Sequence, residues 1–196
     1  MITNEYKAEV LESETVYQGF LKLVRYKLKH SLFGGGWSKP IIREVVERQH
    51  AVAVLMHDTK RDEIILVEQF RIGALNSNNP WVLELVAGLV EPGENPEDVA
   101  RREAAEESGA VIKELKKIAH YYSSAGGSNE VTTIFCAETD TSEIGGVYGL
   151  DTENEDILVH KLSSHDFIAK LNTGEFNVAS LVIAAQWFQN AIYKKH

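Results

Sequence analysis

Three glutamates stand close together in the segment GLVEPGENPEDVARREAAEESGA, which runs from Gly88 to Ala110. Glu103 and Glu107 are four residues apart and Glu106 is three residues from Glu103, so a helix places all three carboxylates along one edge. Like charges at this spacing repel one another, and a bound cation removes that cost. Mg²⁺ prefers oxygen ligands of this kind and shares its remaining positions with water and substrate phosphate. The spacing indicates a divalent metal site, although the glutamates alone also fit a solvated acidic helix.

The residues on either side of the glutamates predict the helix that positions them. Asn95 is a good N-cap, Pro96 suits the first helical position, and Asp98 stands where the acid of a capping box belongs. Gly109 favours a left-handed C-terminal stop. These signals predict one helix over Pro96–Ser108.

The whole segment is more specific than its glutamates. Nine residues agree in type and spacing with the signature of the Nudix hydrolases, and they are Gly88, Glu94, Arg102, Glu103, Ala104, Glu106, Glu107, Gly109 and Ala110. The resemblance implies a loop–helix–loop that holds divalent metal against a diphosphate. It also implies that Arg102 orients the glutamates, that Glu94 supports them, and that Glu106 is a further candidate ligand.

Composition excludes several other classes of protein. The 196 residues carry a net charge of −9, which argues against a general nucleic-acid binder. No apolar run is long enough to span a membrane, and the N-terminus lacks the basic start and apolar core of a signal peptide. The single Cys136 excludes an internal disulfide and suits a reducing compartment, so we expect a cytoplasmic protein without membrane or nucleic-acid partners.

The charge is unevenly distributed along the chain. Residues 17–48 contain seven Lys or Arg against two acids, a balance of +5. A protein that handles anions needs basic groups in one place, and this segment supplies them. A solvated charged face explains the same composition equally well.

The pattern of apolar residues divides the chain at residue 48. Residues 1–48 predict a small β piece, with one strand over 16–28, a glycine turn at 33–37 and a second strand over 41–48. A β piece of this size has only marginal stability alone and must pack against another part of the protein or another chain. Residues 49–196 alternate irregularly between strands and helices, which predicts an α/β (α+β) domain with a mixed sheet between helices.

The acidic loop at residues 151–156 (DTENED) holds four acids among six residues. One interpretation is a mobile, solvated loop. The other is a second carboxylate arm that supplies a further metal ligand and a base for water, and that closes when substrate arrives.

The loop at residues 123–130 (SSAGGSNE) is rich in small residues. Small residues let the backbone approach a ligand closely, and successive N–H groups bind phosphate oxygens. A plain turn between two strands accounts for this composition equally well.

Further segments resemble one branch of the Nudix family, the bacterial ADP-ribose diphosphatases. The resemblance covers residues 15–189, and its marks are ERQHAVAVL, VEQFRI, WVLELVAGLVEPGE, SAGGSNE, GLDTENEDI and NVASLVIAAQW. It implies an α/β/α sandwich and hydrolysis of ADP-ribose to AMP and ribose 5-phosphate with two or three Mg²⁺ or Mn²⁺ per site. It also implies a homodimer in which the N-terminal β domains are exchanged.

The same resemblance assigns roles to individual residues. It implies metal ligands at the Ala87 carbonyl, Glu103, Glu107 and Glu155, and a general base at Glu153. It implies substrate contacts at Phe20, Leu21, Arg43, Glu44, Arg48, Arg71, Leu89, Ser124 and Glu130, some of them donated by the partner chain. An aromatic ring and arginines fit a stacked adenine and the charge of a diphosphate.

Ala125 departs from the branch, which carries proline at this position. Proline stiffens such a loop, so alanine loosens it and leaves the choice of nucleotide sugar open. GDP-mannose is therefore an alternative substrate. A second alternative is a non-catalytic sensor of ADP-ribose, against which the complete set of glutamates argues.

Overall fold

The computed structural model describes residues 6–150, 152 and 154–195 of the chain. These residues form two compact units. The first unit contains the described residues among the first 49 together with Tyr122–Glu130, and the second contains the rest. Within these described ranges, no helix is both long and apolar enough to cross a membrane.

A three-stranded antiparallel sheet forms most of the first unit. Its strands follow the order β1 (Ala8–Gln18), β2 (Lys22–His30) and β3 (Ile41–Glu47). The single strand predicted for residues 16–28 is wrong, because the chain turns at Gly19, whose N–H donates to the Leu21 carbonyl at 3.0 Å. Apolar residues stand on both sides of Gly19, and a single glycine also occurs inside strands, so the local pattern does not reveal the turn.

Charged side chains on neighbouring strands of this sheet are matched in register. Lys27 lies opposite Glu12, and their side chains are 2.7 Å apart. Arg25 lies opposite Glu44 on β3 at 2.8 Å. Further ion pairs join Lys29 to Glu9 and Lys22 to Glu47. Most of the basic residues counted in the sequence therefore have acidic neighbours, as expected of a solvated charged face.

The segment Tyr122–Glu130 belongs to the first unit through hydrogen bonds to the end of β3. Val46 donates its N–H to the Gly127 carbonyl at 2.9 Å. The Arg48 N–H donates to Asn129 Oδ1 at 2.8 Å. A division of the chain at residue 48 assigns this segment to the other domain. The sequence does not show its place in the first unit, because these hydrogen bonds link residues about 80 positions apart.

An eight-stranded mixed sheet forms the centre of the second unit. Its strands are β4 (His50–Asp58), β5 (Glu63–Phe70), β6 (Trp81–Glu84), β7 (Val86–Val90), β8 (Leu115–Tyr122), β9 (Val131–Glu138), β10 (Gly146–Tyr148) and β11 (Ile157–Ser163). The order is β10-β11-β5-β4-β9-β8, with β6 paired to β5 and β7 paired to β4. The pair β4–β9 is parallel, whereas β4 is antiparallel to β5 and β7.

Helices cover both faces of this sheet. The helix α1 (Pro96–Ser108) packs on one face against the alternate residues Val52, Val54 and Met56 of β4. The helices α2 (Ser164–Thr173) and α3 (Ala179–Ala191) pack on the other face, against Ala53 and Leu55. A strand covered on both faces reads as a continuous apolar run. The predicted α/β fold with a mixed sheet between helices is confirmed.

The bounds of α1 agree with its sequence signals. The Asn95 side chain accepts a hydrogen bond from the Glu97 N–H at 3.1 Å. Gly109 ends the helix at φ 69°, in the left-handed region that favours glycine. The predicted helix over Pro96–Ser108 is therefore confirmed, and it places Glu103 and Glu107 at fixed positions on the sheet.

Candidate functional site

The site begins where the run WVLELVAGLV changes its partner strand at Leu85. Before this residue, β6 pairs with β5, and after it, β7 pairs with β4. Leu85 itself is 1% exposed, which anchors the change of direction in the core. The change brings Ala87 and Gly88 against α1.

Glu103 lies against the backbone of Gly88. A Cβ placed on Gly88 would stand 2.2 Å from the Glu103 carboxyl carbon, far closer than atoms approach without displacement. The glycine that opens the sequence signature is thus required by the close approach of a glutamate fifteen residues later. The two halves of the signature meet in space.

Glu107 is the most buried carboxylate of the site, at 3% exposure. It accepts a hydrogen bond from the Ala87 N–H at 3.0 Å. The pKa of Glu107 is raised to about 8, mainly by burial and also by the negative charges of Glu103 and Glu155. The Ala87 N–H and the positive charge of Arg71 act in the opposite direction. An ionised Glu107 therefore calls for a nearby positive charge.

Glu103 shares this environment, with a side chain that is 13% exposed. Burial raises its pKa to about 7, against the lowering effect of Arg102, and the charges of Glu106 and Glu155 add to the increase. A divalent cation needs deprotonated ligands, and its charge would offset the repulsion between these two carboxylates.

Arg102 holds two of the three helical glutamates. Its Nη1 atom lies 2.8 Å from Glu103 Oε1 and 3.0 Å from Glu106 Oε2. Burial alone would lower the pKa of Arg102, but the charges of these glutamates outweigh it and raise the pKa. The Arg102 guanidinium therefore fixes the orientation of both carboxylates. The charge of Glu94 also raises the pKa of Arg102, and Glu94 closes the turn before α1 by accepting from the Glu91 N–H at 2.8 Å.

Glu155 reaches the same group of charges from the acidic loop. Its Oε2 atom accepts from the Leu150 N–H at 3.1 Å. Gly149 has φ 110°, and a Cβ there would lie 2.6 Å from the Glu155 Cβ, so glycine is needed to fold the loop back on itself. The negative charge of Glu155 contributes to the raised pKa values of Glu103 and Glu107. Glu153, the predicted base, lies outside the described residues.

The carboxylates already have partners in this conformation. In the described part of the chain, no three His, Cys, Asp or Glu side chains are arranged to hold a metal ion. Glu103 faces Arg102, Glu107 accepts from Ala87, and Glu155 accepts from Leu150. The donor set of buried carboxylates and one backbone carbonyl nevertheless suits Mg²⁺ or Mn²⁺.

Arg71 stands beside these carboxylates at the end of β5. Its Nε atom is 2.7 Å from Glu84 Oε2, and the Glu84 side chain is 14% exposed. The positive charge of Arg71 lowers the pKa of Glu107. Leu89, the other substrate contact predicted in the second unit, lies on β7 opposite Ala51 and is 37% exposed.

Comparisons with known proteins agree with this geometry. The family model of the NUDIX domain matches residues 47–178. The ADP-ribose pyrophosphatase of Escherichia coli strain K12 is 44% identical over 182 residues, which cover 92% of this chain and 87% of that protein. This chain belongs to the Nudix family.

Two further comparisons concern a second relative and a solved structure. The GDP-mannose pyrophosphatase of Yersinia pestis is 30% identical over 190 residues, covering 93% of this Nudix chain and 92% of that protein. A crystal structure of an ADP compounds hydrolase superposes with a TM-score of 0.68 at 20% identity, covering 93% and 95% of the two chains. At that identity the likeness concerns the fold alone.

The remaining substrate contacts predicted for this Nudix protein lie in the first unit. They are Phe20, Leu21, Arg43, Glu44, Arg48, Ser124 and Glu130. Arg48 and Glu130 form an ion pair at 2.6 Å, and Phe20 is 95% exposed. Glu44 pairs with Arg25, and the Arg43 guanidinium donates to the Ile42 carbonyl at 2.8 Å. Ser124 begins a tight turn by accepting at its carbonyl from Gly127 and Ser128.

Two polar residues close to the predicted site, Glu84 and Gln69, were not predicted from the sequence. Glu84 is the only acid in the apolar run WVLELVA, and a single charge in such a run indicates a residue with a specific partner. Gln69 is buried at 7% exposure on β5, two residues before Arg71. Nothing in its local sequence distinguishes it from an exposed glutamine at a strand end.

Proposed function

We propose that this protein hydrolyses the diphosphate bond of ADP-ribose to AMP and ribose 5-phosphate with the help of a divalent metal ion. The observation that supports this most directly is the pair of buried glutamates, Glu103 and Glu107, packed against Gly88 and Ala87. The choice of ADP-ribose as the substrate rests on the E. coli relative named ADP-ribose pyrophosphatase, which is similar to this chain along almost its whole length.

The proposed metal ligands are the Ala87 carbonyl, Glu103, Glu107 and Glu155, with Glu106 as a further ligand. These residues would hold Mg²⁺ or Mn²⁺, two or three ions per site, and the metal would supply positive charge to stabilise the diphosphate during hydrolysis. The Ala87 N–H holds Glu107 in place. Arg102 restrains Glu103 and Glu106, so these side chains lose little freedom when they bind.

The acidic loop is proposed to activate the water. Glu153 takes the proton from the attacking water molecule, a role that rests on the family resemblance. Glu155 is anchored to Leu150 by hydrogen bonds in both directions, at 3.1 Å and 3.3 Å, so it provides a fixed point two residues from this base. Arg71 donates to the diphosphate, since its charge already acts on Glu107.

The first unit is proposed to bind the nucleotide and to exchange between two protomers of a homodimer. Phe20 (95% exposed) and Phe33 (91% exposed) leave large apolar surfaces on a three-stranded sheet that has few buried residues. Exposed aromatic rings of this size mark interaction surfaces, either for an adenine or for a second protomer. Sedimentation of the purified protein at micromolar concentration tests for the dimer.

AMP release from ADP-ribose, with and without Mg²⁺, tests the proposed reaction. We expect strong metal-dependent release, and EDTA should abolish it. Glu153→Gln should lower turnover while metal binding remains. Loss of metal binding in that variant would make Glu153 a ligand and not the base. Folded protein that binds ADP-ribose without any turnover would indicate a sensor.

GDP-mannose is the second candidate substrate. The relative from Yersinia pestis is 30% identical over nearly the full chain, and Ala125 replaces the proline of the ADP-ribose branch. The same carboxylates serve either diphosphate. A comparison of kcat/KM for ADP-ribose, ADP-glucose and GDP-mannose decides between them, and we expect ADP-ribose to be preferred. We also propose a cytoplasmic location, because the single Cys136 suits a reducing compartment.

A further inference from the structure

Gln69 carries a buried hydrogen-bond donor that has no partner. The residue is 7% exposed, and its Nε2 atom is inaccessible to solvent. Among the described residues, it is the one buried side-chain nitrogen or oxygen atom without a hydrogen bond. A buried amide without an acceptor destabilises the state in which it is unpaired, and an acceptor gained in another state of the protein would explain its presence.

The strand register places this donor on the same face of the sheet as α1. Val67, two residues earlier on β5, belongs to the hydrophobic core that α1 covers. Side chains two residues apart on a strand lie on the same face, so the Gln69 side chain lies on this face as well. Its partner on β6 is Val82, which is 6% exposed. On the other side, β11 pairs Leu158 with Glu68, which brings Ile157 next to Gln69.

The ion pair between Arg71 and Glu84 spans the position of Gln69. Arg71 follows Gln69 by two residues in extended backbone, and Glu84 pairs with Val67, two residues before Gln69. The side chains of Arg71 and Glu84 meet at 2.7 Å. In the register of β5 and β6, Glu84 is the diagonal neighbour of Gln69, a separation that long side chains can bridge.

We propose that Gln69 is a positioning residue that donates to Glu84 when Arg71 turns to the substrate. This inference rests on the proposed function, in which Arg71 binds the diphosphate. Phosphate oxygens compete with Glu84 for the guanidinium group. Glu84 is 14% exposed and would lose its cation in a largely buried position. The Gln69 amide provides a replacement donor, so that Arg71 is released without leaving Glu84 unpaired.

The variant Gln69→Leu removes the donor and keeps a side chain of similar size. We expect the substrate-free protein to melt at the same or a higher temperature, because an unpaired buried amide is gone. We also expect about tenfold weaker binding of the non-hydrolysable α,β-methylene analogue of ADP-ribose, measured by calorimetry, with KM raised to a similar extent. If Leu does not fit, Gln69→Met supplies a more adaptable apolar side chain.

A double-mutant cycle with Glu84→Gln identifies the acceptor. If Gln69 donates to Glu84 in the complex, the losses of analogue affinity should be strongly non-additive, while the melting temperatures of the free proteins should add. The matched control is Gln186→Leu on the exposed face of α3, which should change neither quantity. Additive losses of affinity, or unchanged binding in Gln69→Leu, would overturn the inference.

The wild-type protein separates this inference from the proposed function. Wild type that releases AMP from ADP-ribose, beside a Gln69→Leu variant that binds the analogue equally well, overturns the role of Gln69 alone. Wild type that neither binds the analogue nor releases AMP overturns both.

Discussion

The carboxyl group of Glu103 lies so close to the Cα atom of Gly88 that a methyl group on Gly88 would stand 2.2 Å from it. This contact joins β7 to the middle of α1. It explains why a glycine and a glutamate fifteen residues apart belong to one signature. The signature is a packing arrangement as well as a set of proposed ligands.

Gly88→Ala should therefore lower activity without unfolding the protein. The added methyl group must displace Glu103 from the site, at a cost of about 1–3 kcal/mol in stability. We expect AMP release to fall by about 100-fold or more, since a shift of 1 Å at a catalytic group has effects of this size. Thermal melting and a metal titration measure the two effects. The matched control is Gly34→Ala, because a Cβ there meets no atom within 4 Å.

The structure shows which parts of the fold the sequence could predict. The helix α1 was predicted correctly because Asn95 and Gly109 are local signals that no distant contact overrides. The β4 strand can be recognised in the sequence because residues 51–56 (AVAVLM) form a continuous apolar run. In contrast, the change of partner strand at Leu85 depends on pairing with β5 and β4, which lie elsewhere in the sequence.

The candidate site was predictable to the same extent. The carboxylates of α1 were found because they are spaced by the helical period. The hydrogen bond from Ala87 to Glu107 and the ion pair of Arg71 with Glu84 join separate elements, so no local pattern shows them. The place of Ser124 in the first unit likewise depends on backbone pairing with β3.

Replacement of Glu103 by glutamine should separate stability from activity. The pKa of Glu103 is raised to about 7 in the folded protein. At pH 8 the Glu103 carboxylate is ionised, and in the metal-free protein this charge is less stable in the folded state than in the unfolded state. Glu103→Gln should therefore raise the melting temperature of the metal-free protein at pH 8. It should also lower AMP release by about 100-fold or more, because a metal ligand is lost. A folded variant with near-normal turnover would show that Glu103 is not a ligand.

Asp58 should make the second unit sensitive to acid. Burial alone would raise its pKa, but hydrogen bonds from Thr141, Arg61 and Lys60 outweigh burial and hold the pKa well below its usual range. The pKa of Asp58 is lower in the folded protein than its value of about 4 in the unfolded chain, so the ionised carboxylate stabilises the fold. This stabilisation is present above pH 4 and is lost as the pH falls further.

Asp58→Asn should consequently flatten the acid unfolding curve. We expect a loss of about 2–3 kcal/mol at pH 7 and a smaller further loss between pH 4 and pH 2 than in the wild type. Urea unfolding at several pH values measures this. Asp140→Asn is the matched control, since Asp140 also pairs with Arg61 at 2.8 Å but is 58% exposed. Equal pH dependence in wild type and Asp58→Asn would contradict the prediction.

The ion pair of Arg48 with Glu130 should act on substrate binding and not on bond cleavage. Their side chains are 2.6 Å apart within the first unit, away from the buried glutamates in sequence, and both are predicted substrate contacts. Arg48→Gln should raise KM for ADP-ribose by about tenfold with kcat nearly unchanged, because uniform binding is lost. Lys27→Gln, which breaks the exposed pair with Glu12, is the matched control and should leave KM unchanged. A fall in kcat with constant KM in Arg48→Gln would place this arginine at the reacting phosphate instead.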